Sequence, residues 1–401
     1  MNNNLITNLV TVKKKLMRVV LGVNRNDALD YAIQHSYIES FDEPNGYFQR
    51  SYDQYLCQKK RHPNVLYQVI LALTNVVAVV PLFYFCVLKR SSNNHSVKAR
   101  SPNVAAFLGS ESVMDRIPQG VRDEFREIIC DGNVGLEVSN VEKKFIRKLW
   151  VKYPFSFLFV LKCSMKIAAY CSLINQKNVD AIIVTSEDSF TSSVLTEYCH
   201  CRNVRHINVM HGEIVYNLAR TFFAFDDCYV WDKHYVDLLV DLRAEPSQFI
   251  VELPPGLIYR GQYEVTTKVK YYLQTQDRMQ MQLIKEILDS LSCDYKVRPH
   301  SVWTDVNAMN EVFPPCCVED PKAVSIKESI MGSCILIAWN STVLFQGHIN
   351  GKMPIIDDIT NPQLFRQMQE ARYVMLEKAD FQVLSKFLEV QNSFPAEEIG
   401  R

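Results

Sequence analysis

From Val65 to Leu88 the chain runs VLYQVILALTNVVAVVPLFYFCVL, 24 residues without a charged side chain. Roughly 20 apolar residues at 1.5 Å rise can cross the hydrocarbon of a bilayer. Lys59, Lys60 and Arg61 precede the run and Lys89 and Arg90 follow it, an arrangement that suits lipid head groups. Gln68, Thr74, Asn75 and Pro81 interrupt it, which makes it a poor spanning helix. Two readings stay open: a membrane-embedded or interfacial anchor, or a helix buried against folded domains. Residues 11–20, VTVKKKLMRV, add a basic amphipathic stretch that would lie on anionic lipid or form a solvated helix face.

The rest of the chain has ordinary globular chemistry. Hydrophobic residues make up 48% and charged residues 22% of 401 positions, which excludes a disordered chain, a collagen-like fibre and a disulfide mini-protein. That length suits about two domains of roughly 100–200 residues. The 44 basic and 44 acidic side chains cancel, so nothing marks a nucleic-acid-binding surface, which needs uncompensated Lys and Arg. The 12 cysteines lack the paired spacings of zinc sites. With no secretory signal, they read as reduced thiols of a cytoplasmic protein.

Residues 1–100 form an N-terminal helical appendage by this reading, closed by the linker SSNNHSVKARSPN at 91–103. Beyond it strands and helices alternate. NVAAFL (103–108), DAIIVT (180–185) and VRHINVM (204–210) read as strands, with helices over 150–176 and at SFTSSVLTEYCHC. A second βαβ series follows: KVKYYLQ (268–274), the amphipathic helix 276–291, DYKVRPH (294–300), a short helix at 324–330, CILIAW (334–339), the helix VLFQGHI and MPIIDDI (353–359). Pro254-Pro255-Gly256 marks a hinge. The expectation is an α/β protein with an N-terminal Rossmann-like domain at 101–250 and a C-terminal one at 251–390, facing a cleft. Function in such sheets gathers at the carboxyl ends of strands.

The polar motifs sit at those ends. Ser341 and Thr342 begin a helix after a buried strand, where a hydroxyl and unpaired N–H groups can hold a phosphate or where the side chain simply caps the helix. Asn340-Ser341-Thr342 also fits a glycosylation sequon, which a cytoplasmic chain leaves unused. Arg298 and His300 end another strand and offer donors to a nucleotide phosphate, or are a surface Arg and a satisfied His. Glu319 could accept ribose hydroxyls or cap the next helix. Glu187 and Asp188 follow DAIIVT, and Glu213 follows HINVMHG with His211 two residues before it. A carboxylate at either place can take a proton from an acceptor hydroxyl, while helix capping is the alternative for Glu187 and Asp188. Asp226-Asp227 and Asp357-Asp358 lack the Asp-x-Asp spacing of metal-dependent sugar transfer, and no metal site is expected. P-loop, dinucleotide-binding, HExxH and GxSxG patterns are absent.

HINVMHGE, FDDCYVWDKHY, KYYLQ, the RPH strand end, EDPKAVSIKES and AWNSTVLFQG together resemble bacterial GT-B glycosyltransferases of surface-polysaccharide synthesis, over about residues 100–380. The pattern is most similar to bacterial sialyltransferases of O-antigen and capsule pathways. In that family a His-Pro element and a Ser-Ser or Ser-Thr element bind the nucleotide, and a carboxylate of the first domain is the base. Ser341-Thr342 matches the second element. His300 matches the first loosely, since Pro299 precedes it, and Glu187-Asp188-Ser189 is the nearest relative of the acidic element. The resemblance implies metal-independent transfer from a nucleotide-sugar donor, CMP-sialic acid being favoured, onto a lipid-linked oligosaccharide at the inner face of the cell membrane. A UDP-sugar or CDP-polyol donor, or a non-catalytic assembly scaffold, is the alternative.

Overall fold

The computed structural model describes residues 30–61, 65–88, 103–109, 111–130, 135–291, 293–378 and 381–393. The basic stretch at 11–20, Lys89, Arg90 and nearly all of the linker lie outside the described residues. The chain forms two compact units. Unit 1 runs to His211 and resumes over Tyr216–Pro255; unit 2 comprises Gly212–Val215 and the chain from Gly256.

Unit 1 begins with α1 (Tyr31–Glu39), α2 (Tyr47–Lys60), α3 (Val65–Val77) and α4 (Val79–Phe83), which continues as a π turn to Leu88. Then come β1 (Val104–Phe107), α5 (Gln119–Glu124), β2 (Glu127–Cys130), α6 (Asn140–Lys152), α7 (Phe157–Lys177), β3 (Ala181–Val184), α8 (Ser192–Cys201), β4 (Arg205–Val209), β5 (Asp227–Val230), α9 (Lys233–Asp241) and β6 (Phe249–Val251). The strands are all parallel, in the order β2-β1-β3-β4-β5-β6. Every residue of β1 and β3 is buried, as expected for short apolar strands covered on both faces.

Unit 2 contains β7 (Thr267–Tyr272), α10 (Arg278–Ser290), β8 (Tyr295–Arg298), α11 (Val306–Val312), α12 (Ile326–Met331), β9 (Ser333–Ala338), α13 (Thr342–Ile349), β10 (Met353–Ile356), α14 (Pro362–Glu370), β11 (Gln382–Val383) and α15 (Leu384–Ser393). Its sheet is again parallel, in the order β11-β10-β9-β7-β8. Numbered from its own first strand, unit 1 has the order 2-1-3-4-5-6 and unit 2 the order 2-1-3-4-5. The winding therefore reverses between the first and third strands, and a crevice opens at their carboxyl ends. That is β1 and β3 in unit 1, and β7 and β9 in unit 2. The expected α/β class with two Rossmann-like units is what the chain forms.

The N-terminal appendage needs correction, because α1 and α2 are built into unit 1. Gln54 of α2 donates to the carbonyls of Glu187 (3.1 Å) and Ala219 (2.8 Å), and Ser51 Oγ accepts from the Val194 N–H at 2.8 Å. Arg50 pairs with Glu245 at 2.6 Å, and Phe48 meets Phe145 edge to face. The docking face of α2 is polar and aromatic, so apolar periodicity did not announce it. The domain boundary falls at Pro255–Gly256, inside the Pro-Pro-Gly hinge.

The apolar run settles along α7 by its few polar atoms. Asn75 donates to the Phe155 carbonyl (2.9 Å) and accepts the Leu158 N–H (3.0 Å), so it satisfies an otherwise orphaned donor at the start of α7. Ala78, Leu82, Phe85 and Cys86 are buried, whereas Val65, Leu73, Val76, Val77 and Val80 are each more than 60% exposed.

Asp53 of α2 is buried, and its Oδ2 has no hydrogen-bond partner among the described residues. Burial pushes its carboxyl up to about 6, although a bond from Gln49 and the charges of Arg243, Lys152 and Arg50 act the other way. An acid whose folded pKa is raised stabilises the fold only while protonated. That contribution fades as pH rises from the unfolded value near 3.8 to about 6, and is absent above it. Asp53→Asn should therefore raise the melting temperature at neutral pH, by a stability gain of about 2 kcal/mol, and give no gain at acid pH. Equal shifts at both ends of a pH series of thermal melts would refute this.

Candidate functional site

In unit 1, β3 ends at Val184 and its loop carries Glu187 and Asp188. Asn208, buried within β4 beside Val184, organises that loop. Its Oδ1 accepts the Ser186 N–H at 2.7 Å, and its Nδ2 donates to Glu187 Oε2 at 3.3 Å. From below, Gln54 and Gln58, one helical turn apart on α2, donate to the carbonyls of Glu187 (3.1 Å) and Asp188 (2.7 Å). Glu187 is 1% exposed. Its Oε1 lies 3.7 Å from Nδ1 of His211, whose side chain is 47% exposed. The solvent-facing imidazole thus has a buried carboxylate behind it. Glu187 and Asp188 do not cap α8, whose N-cap residue is Thr191 and makes no side-chain cap bond.

Of the four acid–base candidates, then, Glu187 and His211 are together. Asp188 lies exposed on the outer side of the loop, and Glu213 belongs to unit 2. There its N–H donates to Thr342 Oγ1 at 3.2 Å.

In unit 2, Ser341 caps α13, its Oγ accepting the Val343 N–H at 3.2 Å. The capping reading is realised, and the helix N-terminus still offers its partial positive charge. Two residues invisible to motif reading fix this loop. The hydroxyl of buried Tyr373 accepts from the Ser341 N–H (3.2 Å) and donates to the Ser341 carbonyl (2.9 Å). Burial, with Glu213 nearby, pushes that phenol well above its usual value, so it stays a donor. Gln274, beyond β7, donates its amide to the Asn340 carbonyl. Beneath the loop, Trp339 Nε1 donates to Thr360 (2.6 Å) and Tyr271 donates to Asp357 (2.5 Å).

Arg298 and Glu319 are placed differently from the sequence expectation. Both are buried, and Arg298 Nη1 donates to Glu319 Oε1 at 2.6 Å. Lys270, inside β7, takes the other carboxylate oxygen at 2.5 Å, and also donates to the Ser329 carbonyl at 3.0 Å. Arg298 Nη2 donates to the Val324 carbonyl at 2.9 Å. Burial alone would raise the Glu319 carboxyl, but bonds from Lys270, Ser329 and Arg298 outweigh it and hold it below the usual range. These charges therefore fasten the segment 319–325 to the sheet, where sequence reading had set them against phosphate and ribose. Glu319 does not cap α12, which carries its own Ser325–Glu328 capping box.

His300 stays exposed at the end of β8. Its Nδ1 accepts the Val302 N–H at 3.1 Å, so the neutral ring carries its proton on Nε2, a donor for an anionic oxygen. Trp303 lies beside it, ring centroids 6.0 Å apart. Among the described residues, no three His, Cys, Asp or Glu side chains are grouped to hold a metal.

Breaking the buried trio tests its role. Lys270→Met should lower stability by about 3 kcal/mol in urea titration, because a buried carboxylate loses half of its compensation. The double variant Lys270→Met, Glu319→Gln should lose further stability, because it leaves the buried Arg298 guanidinium without a carboxylate; no loss in the single variant would exclude the role of Lys270.

Comparison with protein families finds no match to this sequence. Comparison with curated proteins finds none either. Among solved structures, a UDP-N-acetylglucosamine 2-epimerase from Listeria monocytogenes is 9% identical over 72% of this chain and 87% of its own, with a TM-score of 0.45. The wall teichoic acid polymerase TagF is 9% identical over 81% and 87%, at 0.40. The glycosyltransferase SnogD from Streptomyces nogalater is 11% identical over 66% and 84%, at 0.36. Likeness at this level carries no argument about what the chain does; its architecture rests on its own strand pairings.

Proposed function

We propose that the chain is a GT-B glycosyltransferase that moves a sugar from a nucleotide donor to a hydroxyl acceptor. The observation that carries this is positional. Both sheets have the same winding, and each sets its polar motif just after its third strand, at the rim of the crevice where such sheets take ligands. Unit 2 supplies a rigid helix N-terminus with Ser341 and Thr342, suited to the donor phosphate. Unit 1 supplies the His211–Glu187 pair, suited to the acceptor.

In this mechanism the acceptor hydroxyl gives its proton to His211 as its oxygen attacks the anomeric carbon. Glu187 stabilises the imidazolium that results. The bond from that carbon to the phosphate oxygen breaks, and the leaving phosphate is met by Ser341, Thr342, the α13 N-terminus and His300 Nε2–H. Glu187 is thereby a positioning residue, and Asp188 and Glu213 fall outside the proton path. CMP-sialic acid is the favoured donor, with a UDP-sugar or CDP-polyol as the alternative. The acceptor is a lipid-linked surface polysaccharide, and the protein works at the cytoplasmic face of the membrane.

Thermal shift with CMP, CDP and UDP separates the donors: the largest stabilisation should come from CMP, and a preference for UDP would replace that donor. Ser341→Ala with Thr342→Ala should weaken nucleotide binding by roughly tenfold or more. His211→Gln should lower turnover by about 10²–10⁴-fold with nucleotide binding intact. Retained turnover in that variant would remove His211 as the base.

A further inference from the structure

The helical run α3–α4 has inverted amphipathicity. Two of its polar side chains turn to unit 1: Asn75 binds the start of α7, and Gln68 donates to the Lys59 carbonyl at 2.9 Å. Its outward face is apolar, with Val65, Leu73, Val76, Val77 and Val80 each more than 60% exposed. Phe155, whose carbonyl Asn75 holds, is 81% exposed as well. A globular surface rarely shows so much contiguous hydrocarbon unless something covers it.

Where α2 gives way to α3, the same end of unit 1 carries a cavity of about 170 Å³. Lys59, Arg61 and Lys162 line it, with Tyr55, Tyr67 and a single acid, Asp188. Three cations against one carboxylate leave a formal surplus of two positive charges. Burial, then neighbouring Arg220, pull Arg61 below its usual value while Asp188 acts the other way, so this cation lacks full compensation. Lys162 and Phe190 also line a second hollow of about 450 Å³, whose wall adds Leu136, Met165 and Ala169. A charged pocket thus adjoins both an apolar hollow and an apolar helix face, and one of its walls is the loop of Glu187 and Asp188.

We infer that this pocket binds the phosphomonoester or diphosphate head of a membrane-embedded lipid, while the outward face of α3–α4 lies in the same leaflet without spanning it. The surplus of two charges matches a dianionic head better than the single charge of an ordinary phosphodiester lipid. Lipid basicity rules point the same way, since Lys and Arg at the membrane surface hold anionic head groups and hydrocarbon takes the apolar face. The inference deepens the acceptor side of the proposed transferase and rests on it only for the chemistry, because head-group binding is measured without donor or turnover.

Vesicle co-sedimentation of the full chain tests it, using phosphatidylcholine alone, with phosphatidylglycerol, or with a polyprenyl phosphate at equal mole fraction. Polyprenyl phosphate should give the tightest binding. Arg61→Gln with Lys162→Gln should weaken that binding by roughly tenfold or more and leave phosphatidylcholine binding unchanged. Leu73→Glu with Val77→Glu should abolish binding to all three vesicles, with an unchanged melting temperature, because these positions are already in solvent. Equal preference for phosphatidylglycerol, or an equal loss on every anionic vesicle in the Arg61 and Lys162 variant, would overturn the pocket. Binding of soluble pyrophosphate as tight as that of the lipid would overturn the membrane source. Nucleotide thermal shift on the same variants keeps the two proposals apart: it should be unchanged, since Ser341 and Thr342 are intact.

Discussion

A strand that runs parallel to its neighbour must be followed by a crossover, so every loop that leaves its carboxyl end gathers on one edge of the sheet. Nearly everything informative about this chain follows from that constraint being applied twice. In each unit the third strand opens the crevice, and the residues just beyond it have backbone groups that no neighbouring strand can satisfy. Asn208 and two glutamines of α2 satisfy them in unit 1. Tyr373, Gln274 and the α13 cap do so in unit 2. The rims are rigid because their supports are side chains delivered from elsewhere in the fold.

The strands that open each crevice were legible because they are short apolar runs ending in polar motifs: AIIV before Ser186-Glu187 and CILIA before Asn340-Ser341 both fold as read. The edge strands of unit 1 were not. β6 and β2 are partly exposed and carry mixed sequences, so no period marks them. The supports of the rims were equally hidden. Gln54 and Tyr373 act across separations of more than thirty residues, and nothing local to either betrays its partner. Arg298 and Glu319 show the opposite failure. Their strand-end positions were visible, but the inward turn of both side chains depends on Lys270, a lysine buried inside a strand.

Charge is used differently in the two units. Unit 2 buries two cations on one shared carboxylate, with a backbone carbonyl taking a further donor from each cation, and thereby fastens a loop. Unit 1 leaves three cations beside one acid around an open cavity. Paired, hydrogen-bonded charge is structure; uncompensated charge at an opening is capacity for a ligand.

Asn75 has a consequence for how the apolar helix behaves. Its side chain closes two hydrogen bonds only while α3 lies along α7, so lifting the helix away would strand an amide and a helix N-terminus together. The hydrocarbon face is therefore a fixed wall of unit 1 and not a tether that swings out on a hinge. Whatever covers it meets the whole domain at once, in a single orientation, and the rim of β3 inherits that orientation.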